Sequence, residues 1–311
     1  TTGAPLVVND ADGPNTTPLE TACRAQGVPS GFEQANTQIT TFTGGNKNLK
    51  PEKSDSYTVG LVHDATWAEG FAQRLTFELT YFNYKIEDGI QARDIAALLN
   101  ACLGAGGTDA TLCSPFTRKS SGDLNPPENF LDNLGSIKTS GADFKIDWRS
   151  KEWSWGTLTA GLQSTYTHEY TATDTDGIVA QRAVGIEVSD SAIPQWQANL
   201  ALGWERGPWM VSFTTRWMDS VDEYCGNALT PDVPGCDQKE TFHKLDSAFY
   251  NDLQVAWTEA FNVQNFKLTL GVNNIFSTDP PICYSCSLNG YDAGTYDLPG
   301  IFWAVTAKYG F

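Results

Sequence analysis

The stretch GIFWAVTAKYGF, residues 300–311, places apolar side chains at every second position. One side of the extended strand carries aromatic and aliphatic residues, namely Ile301, Trp303, Val305, Ala307, Tyr309 and Phe311. The other side carries small or polar residues, namely Ala304, Thr306, Lys308 and Gly310. A period of two residues predicts a β-strand with one apolar face. That face requires either a second sheet, as in a soluble sandwich, or the lipid around an outer-membrane barrel.

The same alternation recurs along the chain. It is clearest in five stretches: RLTFELTYFNY (74–84), TLTAGLQSTYTHEY (157–170), QWQANLALGW (195–204), WMVSFTTRW (209–217) and FKLTLGVNNIF (266–276). Less regular strands are predicted at about 57–64, 133–149 and 245–258. Together with the terminal strand these make nine, and the sequence therefore predicts an all-β fold.

The predicted connections alternate between short and long. Short turns are expected at 64–72, 150–156, 205–208 and 258–265, and long loops at about 87–132, 173–192, 222–244 and 278–299. A meander with short turns at one end and long loops at the other is typical of a transmembrane barrel. Aromatic residues beside the short turns favour an interfacial girdle, although packing or stacking remains an alternative for each: Trp153, Trp155, Trp204 and Trp209.

Composition excludes several classes of protein. The mean hydropathy is -0.31, and no run approaches the roughly 20 apolar residues of a transmembrane helix. The net charge of -17 argues against nucleic acid as a partner. The three histidines, His63, His168 and His243, are scattered, and no catalytic motif is present. We therefore predict a protein that is not an enzyme, with no catalytic, cofactor-binding or metal-ligating residue.

Seven cysteines predict an oxidising compartment. Cys102 with Cys113, and Cys225 with Cys236, are spaced for bridges within polar loops. The CYSC stretch, Cys283 to Cys286, has no second cysteine or histidine pair to complete a metal site. A local disulfide is expected there, with a metal site or unpaired thiols as alternatives. Cys23 is left over, and its partner is expected upstream of the chain.

Three motifs resemble one family of proteins. NKNLKPEKSDSYTVGLV (46–62) is similar to the NP-x-LKPE-x-S-x-x-Y-x-x-G signature in the barrel of TonB-dependent outer-membrane receptors. LGVNNIFSTDPP (270–281) resembles their G-x-x-N-L-F-x-x-x-P motif, and residues 296–311 look like their final strand. Ile301 stands where the family commonly has Arg, which affects only the start of that strand.

The resemblance implies a transmembrane antiparallel β-barrel of about 22 strands closed by a plug, of which this chain holds about the last nine. We expect residues 1–50 to be the tail of an extracellular loop and residues 51–311 to be the C-terminal part of the barrel. The plug and the TonB box would lie upstream. The family's barrel-assembly signal maps onto Trp303, Tyr309 and Phe311.

The resemblance also implies a function and its partners. A receptor of this kind lies in the outer membrane of a Gram-negative bacterium, binds a scarce nutrient, and imports it with energy from the TonB–ExbB–ExbD complex. Its other expected partners are the lipid bilayer and the barrel-assembly machinery. A passive porin-like channel and a secreted all-β binding protein are the alternatives. We expect an oligosaccharide or related nutrient rather than a ferric siderophore.

Candidate ligand-binding residues lie in the long loops and on the polar faces of strands. Tyr and Asn side chains suit sugar rings through stacking and hydroxyl hydrogen bonds, and would also suit ferric chelates. The candidates are Tyr224, Asn227, Tyr284, Asn289, Tyr291, Asp292, Arg216 and Glu78.

Overall fold

The computed structural model describes residues 17–33, 40–93, 95–173, 184–187, 191–224, 242–286 and 290–310. Two helices are present in these ranges, α1 (Pro18–Ala25) and α2 (Ile95–Gly104). The strands are β1 (Phe42–Gly44), β2 (Lys53–Asp64), β3 (Ala72–Glu87), β4 (Ile90–Gln91), β5 (Glu128–Phe130), β6 (Asp132–Asn133), β7 (Ser136–Ser150), β8 (Thr157–Thr173), β9 (Ile186–Glu187), β10 (Trp196–Arg206), β11 (Trp209–Met218), β12 (Val221–Tyr224), β13 (Phe242–Leu245), β14 (Ala248–Thr258), β15 (Phe266–Asn273) and β16 (Phe302–Tyr309).

Nine of these strands form one antiparallel sheet in the order β16-β15-β14-β11-β10-β8-β7-β3-β2. Each long strand pairs with the next long strand in the chain, so the sheet is the predicted nine-stranded meander. β2 and β16 are its two edges within the described residues. Seven strands have 10 to 17 residues, whereas β15 and β16 have eight each and are shorter than predicted.

The early end of β15 has a local cause. The sequence predicts a strand as far as Phe276, but Asn274 adopts a left-handed backbone conformation with φ 49°. Its side chain is buried, donates to the carbonyls of Thr278 and Pro299, and accepts from the Thr278 N–H. Asn274 therefore stops the strand and ties the start of the following loop to its end.

The predicted alternation of short and long connections is confirmed. The short ones are a 3₁₀ turn at Thr66–Ala68, a turn at residues 151–156, a two-residue turn at Gly207 and Pro208, and a 3₁₀ turn at Ala260–Asn262. The long ones contain small sheets of their own. β13, β12 and β9 form a three-stranded sheet, β4 pairs with β6, and β1 pairs with β5.

Aromatic side chains gather beside the short turns. The rings of Trp153 and Trp155 are 4.7 Å apart, and the Trp204 indole N–H donates to the Trp155 carbonyl. Trp209 stacks on Trp257 at 5.0 Å. Both groups lie beside the short turns, where an interfacial girdle places aromatic residues.

The register aligns apolar residues across the sheet into one continuous row. Neighbouring strands contribute directly opposed residues, which lie on the same face. This apolar row consists of Trp148, Ala160, Leu202, Phe213, Leu253, Val272 and Trp303. Its members are exposed or half-exposed. A wide apolar surface of this kind on the largest sheet of a protein requires an apolar environment.

A helical loop module lies at the long-loop end and consists of residues 17–33 and 95–124. Two apolar clusters share Leu99 as a contact, one around Leu103 and one around Phe116. The turn after α2 approaches α1 so closely that a Cβ on Gly107 would lie 2.2 Å from the Ala22 carbonyl oxygen. A disulfide joins Cys102 to Cys113 within the module.

Helix α1 lies in the segment that is expected to be the tail of an extracellular loop. Thr17 and Glu20 form a capping box, in which each side chain accepts from the other residue's backbone N–H, and Pro18 stands at the first helical position. The sequence TPLE (17–20) has this helix-start signature, which a search for the two-residue period of strands does not detect. Helix α2 lies inside the long loop predicted at about 87–132. No helix in the described ranges has the length and apolarity to cross a membrane.

Cys23 is buried inside the first apolar cluster of the helical loop module. Burial raises the pKa of its thiol, and the nearby Arg118 opposes that rise. The side chain therefore acts as apolar packing. The expectation of an upstream disulfide partner stays a prediction.

Candidate functional site

A row of polar residues crosses the face of the sheet opposite the apolar row. Register pairs Glu78 with Lys145, Lys145 with Gln163, and so on across six strands. This polar row consists of Glu78, Lys145, Gln163, Asn199, Arg216 and Tyr250. In a barrel whose outer face is apolar, such a row lines the lumen.

Two cations on this polar face, Lys145 and Arg149, are ion-paired. Lys145 Nζ lies 2.8 Å from Asp147 and 3.5 Å from Glu78. Arg149 pairs with Glu205 at 3.1 Å. The positive charges of Lys145 and Arg149 are therefore largely balanced by neighbouring carboxylates.

Arg216 connects the polar row to the β15–β16 loop. Its guanidinium pairs with Asp297 and lies 5.2 Å from the centre of the Tyr250 ring, a cation–π distance. Tyr250 is almost fully buried. The β15–β16 loop is thus anchored on the inner face of the sheet.

Three long loops join into a second unit, the loop cap, formed by residues 184–187, 191–195, 219–224, 242–248, 278–286 and 290–298. Its apolar core consists of the loop residues Val221, Leu245, Cys283 and Tyr296 packed with Ala248 and Tyr250 of β14. Burial raises the pKa of the Tyr296 phenol, and the Asp292 and Glu187 carboxylates add to that rise. The phenol therefore stays protonated.

Three fully buried carboxylates organise the loop cap: Glu187, Glu223 and Asp292. Glu223 accepts from the backbone N–H groups of Tyr284 and Ser285 and from the Ser285 hydroxyl. Its other close partner is Nδ1 of His243, at 2.6 Å. A buried carboxylate is tolerated only with such partners, so Glu223 fixes the turn that contains Cys283 and Cys286.

Asp292 serves a similar purpose in the same loop. Its carboxylate accepts from the N–H groups of Ala192, Gly294 and Thr295. Since the side chain is fully buried, Asp292 holds the β15–β16 loop against the β9 segment. Its role as a candidate ligand-binding residue stays a prediction.

The other candidates divide between the inner face and the loops. Glu78 and Arg216 lie in the polar row. Tyr284 is half-buried, with its ring 4.9 Å from that of His243, and Tyr291 is half-buried in the loop cap. For Tyr224 the structure gives only the backbone, paired with Phe242. Asn227 and Asn289 lie outside the described residues.

The remaining predicted residues are the disulfide cysteines and the aromatic residues of the last strand. The structure joins Cys283 to Cys286 by a disulfide. Cys225, Cys236 and Phe311 lie outside the described residues. Trp303 and Tyr309 are exposed on β16.

Sequence reasoning missed several residues of the site. Lys145 could have been found, because ADFKIDWR alternates charged and apolar residues and puts it on the face of Asp143 and Asp147. The local sequence does not mark Glu223 or His243 as site residues, since their hydrogen-bond partners are loop residues about 20 to 60 positions away.

Comparison with known proteins identifies the family. The family model described as "TonB dependent receptor-like, beta-barrel" matches residues 21–275. The chain therefore belongs to the TonB-dependent receptors, as part of their β-barrel. The barrels of this family lie in the outer membrane of Gram-negative bacteria and are transport receptors rather than enzymes. None of the curated proteins matches the chain in sequence.

Solved structures show the same fold. The FrpB iron transporter from Neisseria meningitidis is similar over 86% of this chain and 32% of its own, with 13% identity and a TM-score of 0.53. A mutant of the ferric enterobactin receptor PfeA from Pseudomonas aeruginosa has 17% identity over the same shares, with a TM-score of 0.53. The chain thus spans about one third of the length of these transporters.

Proposed function

We propose that the protein containing this chain is an active importer of the outer membrane, which binds a scarce nutrient at the cell surface and takes it up with energy from TonB, ExbB and ExbD. The observation that carries the proposal is a nine-stranded meander whose two faces separate an apolar row from a polar row. The match to the receptor barrel family supports it. A plug upstream of this chain, and residues 1–50 as an extracellular loop tail, belong to the same proposal.

Uptake and conductance together test this proposal. Cells that carry the receptor should lose uptake of its nutrient when TonB is deleted, because a plugged barrel needs energy to open. Purified receptor in liposomes should conduct little. Free conductance and TonB-independent uptake would instead identify a passive porin, and solubility without detergent would identify a secreted binding protein.

For the ligand, we propose a neutral, hydroxyl-rich molecule such as an oligosaccharide. The chain has a net charge of -17, and Lys145, Arg149 and Arg216 are each balanced by a carboxylate. An anionic ferric chelate would meet an acidic protein in which these three cations are already paired. Half-buried Tyr284 and Tyr291 offer rings for stacking on sugars. FrpB and PfeA share 13% and 17% identity with the chain, so the ligands of those proteins do not identify the ligand of this one.

Binding measurements separate the two ligand classes. We expect titration calorimetry to show binding of neutral oligosaccharides and none of ferric catecholates. Tyr284→Ala should weaken oligosaccharide binding by about 3- to 10-fold through lost stacking, whereas Tyr284→Phe should bind like the unchanged receptor. Tighter binding of a ferric chelate would contradict the proposed ligand and leave the importer proposal intact.

A further inference from the structure

The turn between Cys283 and Cys286 lies against two buried carboxylates. Glu187 of β9 and Glu223 of β12 are paired in register on neighbouring parallel strands, and both side chains are fully buried. Glu223 Oε2 lies 3.2 Å from Cys283 Sγ, and Glu187 Oε1 lies 3.8 Å from Cys286 Sγ. Because disulfide sulfurs carry no proton, these are contacts rather than hydrogen bonds. Each sulfur thus has its own carboxylate oxygen.

We propose that this cluster binds a zinc ion when the Cys283–Cys286 disulfide is reduced, with the two thiolates, Glu187 and Glu223 as ligands. The ligand atoms of Glu187, Cys283 and Cys286 already lie within 4.8 Å of one another. Two sulfurs and two oxygens suit a tetrahedral zinc site. The family's nutrient import requires no such site.

Two sulfur–oxygen distances fit the coordination geometry. With Zn–S of about 2.3 Å and Zn–O of about 2.1 Å, a tetrahedral ion separates sulfur from oxygen by roughly 3.5 Å. The separations from Glu223 Oε2 to Cys283 Sγ and from Glu187 Oε1 to Cys286 Sγ, 3.2 and 3.8 Å, lie on either side of that value. To complete the site the sulfurs must move apart to about 3.8 Å, and Glu223, which is not among the three residues within 4.8 Å of one another, must move towards the ion. A spacing of two intervening residues between cysteines is common in zinc sites.

The surroundings hold the Glu223 carboxylate in place. His243 Nδ1 and the Tyr284 N–H contact Oε1, whereas Oε2 accepts from the Ser285 N–H and hydroxyl and also faces Cys283. Hydrogen bonds that orient a carboxylate towards the ion are typical of zinc ligands. Two negative carboxylates beside two thiolates also create the charge that a divalent cation balances.

The change of state is a two-electron exchange. A dithiol donates two electrons and two protons to the sulfur–sulfur bond, so that Cys283 and Cys286 become thiols and the dithiol closes into its own disulfide. Zinc then displaces the two thiol protons to solvent. Cys286 is half-buried, which gives the reductant access. Either state fastens the β15–β16 loop to β9 and β12.

Protection from alkylation tests the site without any transport assay. The intact receptor in detergent is reduced with dithiothreitol, freed of it by anaerobic gel filtration, and treated with iodoacetamide with and without Zn²⁺. Mass spectrometry should show that zinc slows alkylation of Cys283 and Cys286 by about tenfold or more, because bound thiolates are shielded. Cys102 and Cys113 in the same sample are the internal control. Equal rates with and without zinc at Cys283 and Cys286 would overturn the proposal.

A variant tests the carboxylate ligands. Glu187→Gln keeps an acceptor for the Ser191 N–H and should raise the zinc concentration for half-protection about tenfold. Glu128→Gln, at an exposed position of β5, should leave it unchanged. If Glu187→Gln protects as the unchanged receptor does, the assignment of the carboxylate ligands is wrong. Oxidised receptor should give no thiolate-to-metal charge-transfer band with Co²⁺, and reduced receptor should give one.

Discussion

The apolar row of the sheet and the apolar core of the loop cap contain similar side chains in opposite surroundings. Leu202, in a strand flanked on both sides, is 42% exposed, whereas Leu245 in the loop cap is 0% exposed. A sheet in water would bury its apolar face against a second layer. This difference in exposure indicates that the loops fold in water around apolar cores, while the outer face of the sheet is surrounded by hydrocarbon.

The largest expected effect tests the loop side of this comparison. Leu245→Ala should destabilise the loop cap by about 2–5 kcal/mol, because it leaves a cavity in a closed core. Hydrogen exchange of the β12 and β13 amides measures the loss. Leu202→Ala should leave exchange in these strands unchanged, since residue 202 lies outside the cap. Equal acceleration by both variants would mean that the sheet and the cap share one core.

A charged substitution in the apolar row tests whether the outer face of the sheet lies in hydrocarbon. Leu202→Arg should cost about 2–4 kcal/mol, because an arginine at mid-membrane depth loses its hydration. Ala201→Arg places the same side chain on the opposite face and should cost much less. Urea titration of the receptor folded in liposomes, followed by the heat-modifiable band on gels, measures both. An equal loss for the two variants would contradict the assignment of the faces.

The Cys102–Cys113 bridge sharpens the comparison within the loops. Changing both residues to Ser should destabilise the helical loop module by roughly 3 kcal/mol, because an 11-residue separation closes a small loop. Limited proteolysis should then cut near α2 while the sheet stays folded. Cys283→Ser with Cys286→Ser is the matched control and should leave cleavage near α2 unchanged. If the double change at 102 and 113 alters no cleavage, the bridge does not stabilise the module.

The smallest effect concerns the start of α1. Thr17→Ala removes the capping hydrogen bond to Glu20 N and should cost about 1 kcal/mol. Because Cys23 is buried behind this helix, its alkylation under native conditions should accelerate about fivefold. Thr17→Ser should restore the slow rate. An unchanged rate in Thr17→Ala would show that Cys23 is protected independently of α1.

Much of the sheet could be predicted, because the two-residue period of a strand is visible in its own sequence and does not depend on which strands it pairs with. QWQANLALGW predicts a strand, and β10 spans Trp196–Arg206. Glu78 and Arg216 could be assigned to polar faces in the same way. Their alignment into one row with Lys145 and Tyr250 could not, because the register across six strands depends on turn lengths and tilt.

The loops were predicted less well for physical reasons. Helix α1 depends on a capping box rather than on a long apolar period. Aspartate is usually found at the surface, yet Asp292 is buried because its carboxylate accepts hydrogen bonds from three backbone N–H groups. Such long-range hydrogen bonding leaves no local pattern.

The accessibility of spin labels on adjacent residues of β10 tests the central claim most directly. Labels attached at Leu202→Cys and Ala201→Cys sample the two faces of one strand in the receptor reconstituted into bilayers. We predict that the label at 202 collides mainly with dissolved oxygen and the label at 201 with a water-soluble nickel chelate. A label at 202 that is more accessible to the nickel chelate than to oxygen would contradict the account.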